Sequence, residues 1–461
     1  MDVVAKLAEH IVAVRYDMCS PDALLTSKLS IVDTLGAAIA GHAAAGCAPV
    51  VKVVRDWGGN PEASVWFDDA RVIAPHAALA NAVMARAIDY DDALTRGVHL
   101  SSALVPAILA QAEARGGLSG RELLTTFTVA TDVVARLNAA TLDYHGFDPT
   151  LTCGIFGVTA ATARLRGLTA AETIDAFGIA LNEASGTFQS NIDGALVVRL
   201  NQGFAACEGM KAAIFAAAGI TGVKNVFEGL YGYGHLYSNG RFDVARLAER
   251  LGERFDGTET FFKRWPSCGA TLAGIDAAVA LVETDGVRGE DVASGEVRVG
   301  RYHYNLCGTR PFWPGENPSV DAQFSYQYAI ANTLLRGRPR LEHFLEPRVI
   351  VEPAVGDLAR RLRVVADDRF DEAHGVLATR VTVTLRSGRI VERFVQFPRG
   401  HFRNAMPAEE LIEKFRQNLA FAQQRGYDAR YGDRIVETVM ALEDTMDVRA
   451  MLAWLVPHRR P

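Results

Sequence analysis

The 461-residue sequence holds six cysteines and not one C-x-x-C pair. Disulfide frameworks and thiolate metal sites need clustered thiols, so Cys19, Cys47, Cys153, Cys207, Cys268 and Cys307 are expected to be separate and reduced. Long unbroken apolar runs are missing as well. Met1 to Arg15 carries Asp2, Lys6, Glu9 and His10 inside its apolar pattern, which is not the core of an export signal. Ala205 to Ile220 is interrupted by Glu208 and Lys211 and falls short of the ~20 residues that cross a bilayer. These features lead to the expectation of a cytoplasmic protein with no membrane partner. Nor is there a basic excess: 48 Lys and Arg stand against 54 Asp and Glu, for a net charge of -6. Polyanion binding depends on clustered cations that neutralise phosphates, so nucleic acid is not an expected partner. A small anionic substrate would need a local basic pocket.

What is present describes a globular chain: 49% of residues are hydrophobic and 22% charged, and the length exceeds one ordinary core, which favours two domains. Up to about Lys263 the apolar spacing is helical almost throughout. Ser20 and Pro21 form an N-cap and first helical position for a helix over 21–41. Further helices are expected at 74–88, 101–115, 119–139, 152–166, 169–184 and 203–219, with the Ser and Thr of Gly-Leu-Ser/Thr turns as caps. Their many Ala and Gly residues suit helices buried on several sides. Beyond Trp265 the texture changes to apolar–polar alternation at 295–304 and 378–397, with Ser387-Gly388 as a hairpin turn. Helices are expected between these strands, at 270–284, 322–336 and 355–364. Helical spacing returns at 409–424 and at 433–455, with Asp433 as a cap. The fold class is therefore mainly α: a large all-helical bundle domain, discontinuous in sequence (1–265 plus 405–461), with a smaller α+β domain inserted at 266–404.

Three clusters are candidates for chemistry. Asp89-Tyr90-Asp91-Asp92 precedes His99 and Ser101-Ser102. An imidazole titrates near neutrality and works as a base when a carboxylate fixes its tautomer, a part that Asp89 or Asp92 can play. The plainer reading has the aspartates capping a helix end and His99 packing. No second acidic box accompanies the cluster, so no metal is expected. Next, Lys263-Arg264 stands beside Trp265-Pro266-Ser267-Cys268 at the domain junction, placed to meet an anion at an interface, although surface charge is the usual fate of Lys and Arg. Cys268 has no partner base in its local sequence and reads as a buried thiol. In the third cluster, Arg199 lies in an apolar stretch before a helix begun by Gly203; such an Arg reaches solvent or takes a carboxylate from protein or ligand. The glycines of 229–234 follow no strand and read as an ordinary turn. The Pro- and Gly-rich loop at 308–319 is the longest irregular stretch.

These clusters, with Ser30 to Gly41, Ala87 to Asp92 running on to His99-Leu100-Ser101, Gly154 to Gly167, Trp265 to Thr271 and Ala322 to Tyr326, make the chain resemble the MmgE/PrpD family over nearly its whole length. Branches of that family include 2-methylcitrate dehydratase, cis-aconitate decarboxylase and iminodisuccinate epimerase. The resemblance implies a helical domain with an inserted α+β lid, a site between them, a homodimer, and a small anionic carboxylate as substrate. By motif, Asp89 and His99 match the family's acid and histidine, Lys263 its lysine, and Arg199 a basic position after another family lysine. The chain departs from the pattern where Ala93 replaces a Thr, Asp148 a His, Val198 a Lys and Leu272 a His. Asp92, Asp148, Tyr144, His145, Lys211 and Arg310 are then further candidates for holding substrate.

A proton α to a carboxylate is weakly acidic, so its removal needs a placed base and positive charge over the developing enediolate. The expectation is His99 as base, oriented by Asp89, with Lys263 and Arg199 as electrostatic partners and no cofactor. A lyase is the first reading. An epimerase or isomerase is the second, and a ligand-binding relative without turnover the third.

Overall fold

The computed structural model describes residues 2–144 and 146–456. His145 therefore lies outside the described residues. Asp2 caps α1 (Val3–Ala13), and Ser20 accepts from Ala23 N to start α2 (Pro21–Gly41), with Pro21 at the first helical position. A helix not singled out by spacing, α3 (Cys47–Trp57), leads into a two-stranded hairpin of β1 (Ala63–Ser64) and β2 (Arg71–Val72). The bundle continues with α4 (Ala74–Arg86), α5 (Ser101–Ala114), α6 (Gly120–Ala140), α7 (Pro149–Leu165), α8 (Ala170–Glu183) and α9 (Val197–Ala217).

The start of α9 differs from the sequence expectation. The helix begins at Val197, so Arg199 sits in its first turn and Gly203 lies inside it. A Cβ on Gly203 would stand 3.0 Å from the Leu79 carbonyl oxygen, so this glycine serves the close approach of α9 to α4 and not a helix start. Helix α2 has the length and hydropathy to cross a membrane, but 83% of that window is buried within the protein, as in a core helix.

After Trp265 the chain forms α10 (Leu272–Glu283), β3 (Val292–Val299), α11 (Tyr326–Arg336), β4 (Leu362–Ala366), β5 (Thr379–Leu385) and β6 (Ile390–Val395), with short helices between. The sheet order is β4-β3-β5-β6; β3 runs parallel to β4 and antiparallel to β5, and β5 and β6 close the hairpin at Ser387-Gly388. Three boundaries differ from expectation. The helix expected over 322–336 starts at Tyr326, with Ser325 as its N-cap. Arg301–Cys307 is a helix and not the end of a strand, and the helix expected over 355–364 stops at Ala359. Leu362 and Val364 then bury their side chains as β4 pairs with β3, a tertiary pairing that five residues of local pattern do not announce.

The tail returns to the bundle. Helix α12 (Ala408–Gln423) packs along α2, where a Cβ on Gly36 would lie 2.8 Å from Phe415 Cδ2. Helix α13 (Gly432–Met440) is shorter than expected: Tyr431 is its N-cap and Asp433 lies inside, and the chain continues as two short 3-10 segments. Two apolar cores result. One joins α1–α9 to Phe415 and Leu452, and the other gathers Leu272, Val297, Tyr326 and Val381. Ala93 and Val198, though from the bundle part of the chain, belong to the second core and mark the seam between the two.

Candidate active site

The chain turns sharply after α4. Asp89 takes a left-handed backbone (φ 52°), which Asp tolerates better than most residues, and its amide bonds back to the Arg86 carbonyl. Four residues on, Ala93 exchanges both backbone hydrogen bonds with Phe261, at 3.0 and 2.8 Å, which brings Lys263 alongside the turn. Lys263 Nζ then lies 2.7 Å from Asp89 Oδ1 and donates to the Asp89 carbonyl at 3.0 Å. Lys263 is fully buried, an unfavourable place for an ammonium unless a carboxylate and a carbonyl receive it.

His99 stands on the far side of the same carboxylates. Its Nδ1 is 3.0 Å from Asp91 Oδ2 and its Nε2 is 3.6 Å from Asp89 Oδ1. Ser102 donates to the same Asp91 oxygen at 2.5 Å. Asp91 therefore holds the ring, where the sequence allowed Asp89 or Asp92, and with Nδ1 as donor Nε2 is left on the side of Asp89 Oδ1, the carboxylate oxygen that Lys263 also meets. Arg86, also nearly buried, completes the group: Nη1 lies 2.5 Å from Asp89 Oδ1 and 3.9 Å from Asp91 Oδ1. Two carboxylates thus face two cations, with an imidazole between. Burial, then Arg86, hold the His99 ring below its ordinary pKa against the opposing pull of Asp91, which favours the neutral base form at neutral pH. Burial alone would raise the Asp89 and Asp91 carboxyls, but the surrounding cations and His99 hold both below the usual carboxylate range.

The other expected residues take separate positions. Asp92 receives Ser101 N at 3.2 Å and Ser101 Oγ at 2.5 Å, serving the N-terminus of α5. Burial, with Asp33 nearby, pushes its carboxyl up to about 7. Asp148 caps α7 through Thr150 N at 2.9 Å and accepts from Asn201 at 2.6 Å, while Thr150 Oγ1 receives the His99 amide at 3.3 Å. Tyr144 donates to Asn138 Oδ1 at 2.9 Å, Arg310 pairs with Asp321 at 2.7 Å, and Lys211 pairs with Glu208 on the α9 surface. Arg199 is 2% exposed yet has no carboxylate partner among the described residues: it donates to the Ala45 carbonyl and to Ser319 Oγ, and its Nε is unsatisfied. Its electrostatic reach extends to Arg86 and Asp89.

Asp89, Asp91 and His99 offer ligand atoms within 4.8 Å of one another, a spacing that also suits a metal ion. Arg86 and Lys263 already neutralise those carboxylates and would repel a divalent cation. The sequence reading missed Arg86 and Asp91. A lone Arg ending an apolar helix, three residues before Asp89, was the available signal.

A model of the MmgE/PrpD N-terminal domain matches residues 5–245, and one of the MmgE/PrpD C-terminal domain matches residues 265–435. The chain belongs to the MmgE/PrpD family. Among its relatives, the cis-aconitate decarboxylase of Homo sapiens is 28% identical over 93% of this chain and 89% of its own length. A cis-aconitate decarboxylase-like protein of Aspergillus oryzae is 26% identical over 98% and 97%, and the cis-aconitate decarboxylase of Mus musculus 27% identical over 86% and 82%. This MmgE/PrpD protein is an enzyme of the lyase class. Within it, three of the positions noted as departures, Ala93, Val198 and Leu272, are buried in the second apolar core with Phe261, Trp265 and Cys268.

Proposed function

We propose that this enzyme is a cofactor-independent lyase that moves a proton α to a carboxylate of a small di- or tricarboxylate, in the manner of its decarboxylase relatives. The observation that carries the reading is His99, held by Asp91 on one side and facing the Asp89–Lys263 pair on the other. His99 Nε2 is the base or, once protonated, the acid. Asp91 fixes the ring and stabilises the imidazolium, and Lys263 offsets charge building on the substrate carboxylate, with Asp89 setting its position. Arg199 binds a second carboxylate. In a decarboxylation the bond to the departing carboxylate breaks, its electron pair passes into the carbon skeleton, CO2 leaves, and His99, charged beforehand by a proton taken from solvent, delivers that proton to carbon. In this reading residues 1–265 plus 405–461 form the helical domain and 266–404 the lid, and the protein works as a cytoplasmic homodimer.

The test is turnover of cis-aconitate and related acids in D2O by the wild type and by His99→Ala. Release of CO2 with deuterium in the product, lost in a folded His99→Ala variant, supports the reading; full activity in that variant overturns it. Deuterium exchange into recovered substrate without CO2 or unsaturated product assigns the epimerase reading instead.

A further inference from the structure

We propose that Tyr302 is a positioning residue for the reaction: its hydroxyl, reaching over from the segment beyond Trp265, fixes the hairpin that leads into His99. The inference rests on the active-site reading above and deepens it. Residues 94–98 form a tight hairpin in which Leu94 N donates to the Val98 carbonyl at 2.8 Å and Gly97 N to the Leu94 carbonyl at 3.0 Å. At its tip Arg96 and Gly97 both take left-handed backbone, with φ 73° and 83°. Glycine adopts that conformation freely. For Arg it is strained, and such strain persists only where the surroundings hold the backbone in place.

Three side chains hold it, on three consecutive carbonyl oxygens. Asn138 Nδ2 of α6 donates to the Thr95 carbonyl at 3.0 Å, Tyr302 Oη to the Arg96 carbonyl at 2.8 Å and Thr150 Oγ1 of α7 to the Gly97 carbonyl at 3.2 Å. Thr150 Oγ1 also accepts the His99 amide at 3.3 Å, so the tip and the His99 backbone share one hydroxyl. Asn138 and Thr150 belong to bundle helices, whereas Tyr302 lies in the short helix Arg301–Cys307 that precedes the 308–319 loop. Its ring packs against both apolar cores and meets Phe188 edge-on at 6.2 Å, which aims the hydroxyl at the strained residue. Burial, with Asp148 nearby, pushes the phenol well above its ordinary pKa, so the hydroxyl keeps its proton and remains a donor. Without it the Arg96 carbonyl loses its partner at the strained point, and His99, three residues on, is no longer set squarely against Asp91. The hydroxyl is engaged by a backbone carbonyl and not by substrate, so its loss acts on turnover and not on affinity.

The experiment is Tyr302→Phe in the full-length protein, or Tyr302→Leu should that variant not fold. The His99 titration is followed by NMR on protein with 13C-labelled histidine, and the signal is assigned by its absence in His99→Ala. Burial is the largest cause that holds the His99 ring low, and the charged groups around it, Arg86, Lys263, Asp89 and Asp91, are unchanged in the variant. A loosened ring is better hydrated, so its pKa is expected to rise by about one unit. With cis-aconitate, kcat is expected to fall about 10- to 100-fold while KM stays within about twofold of wild type, as for a catalytic group displaced by a fraction of its working distance. An unchanged His99 titration in the folded variant overturns the inference, whether or not cis-aconitate is turned over, and so does a higher KM with kcat kept. Failure of the active-site reading is separately visible: His99→Ala would then retain full turnover, whatever Tyr302→Phe does to the ring.

Discussion

Lys414 Nζ donates to the carbonyl oxygen of Tyr90 at 2.6 Å, across 324 residues of sequence. The same ammonium is 2.7 Å from Asp33 Oδ1 and 4.0 Å from the centre of the Tyr90 ring. Tyr90 lies between Asp89 and Asp91, so the returning helix α12 and the core helix α2 together fasten the turn that presents these two carboxylates.

Lys414→Met leaves Asp33 buried without its cation. The expected loss is about 3–5 kcal/mol of unfolding free energy, as for breaking one side of a buried ion pair. Adding Asp33→Asn removes the stranded charge and should recover much of that loss. Urea melts of the single and double variants check this; a single variant as stable as wild type would show that the pair contributes nothing.

Asp91→Asn replaces the carboxylate that receives His99 Nδ1 with a group that no longer stabilises the imidazolium. kcat should fall by about 10²–10⁴-fold with the fold intact, as when the orienting acid of a His-based catalyst is removed. Circular dichroism controls for folding. A loss under about threefold would mean that the ring is held by its packing and not by Asp91.

Arg86→Gln removes one of the two cations that, after burial, hold the His99 pKa down. The groups facing the ring are then Asp89, Asp91 and Lys263, a net negative set, so the imidazolium gains stability. Since the imidazolium is the proton donor in the decarboxylation, the alkaline limb of the pH–rate profile should move to higher pH, by about one unit. Arg86→Lys, which keeps the charge, should leave the limb nearly in place. Equal shifts in both variants would point to a purely structural effect.

Asp92 makes stability depend on pH. Its folded-state pKa, raised to about 7, exceeds the ordinary value of 3.8, so the native state keeps a proton that the unfolded chain has lost. The resulting contribution is fully present below pH 3.8 and is lost as pH rises through about 7. Asp92→Asn cannot ionise and should gain stability relative to wild type at pH 8 over pH 4, on the order of 4 kcal/mol as an upper bound. Melting curves at the two pH values decide it, and a pH-independent difference would mean that Asp92 is ionised in the native protein.

Much of the fold could be read from local pattern. The seven helices expected in the first 220 residues are present, as are the hairpin turn at Ser387-Gly388 and the helical return of the tail. The misread boundaries are those where a distant partner decides. β4 exists because β3 runs beside it, and Gly203, read as a helix start, instead lies within α9 where it meets α4.

The site follows the same division. Periodicity, caps and motif were enough to single out Asp89, His99, Lys263 and Arg199 as chemically capable, because helical spacing and residue type are written locally in the chain. Which aspartate holds the imidazole, that Arg86 joins the cluster, and that Arg199 meets a carbonyl and a hydroxyl and no carboxylate among the described residues were decided only by the fold. Those facts depend on the left-handed turn at Asp89, the Ala93–Phe261 bridge and the clamp from Lys414. Electrostatic contacts act through space over a few ångströms, and it is tertiary packing that sets which charges come that close.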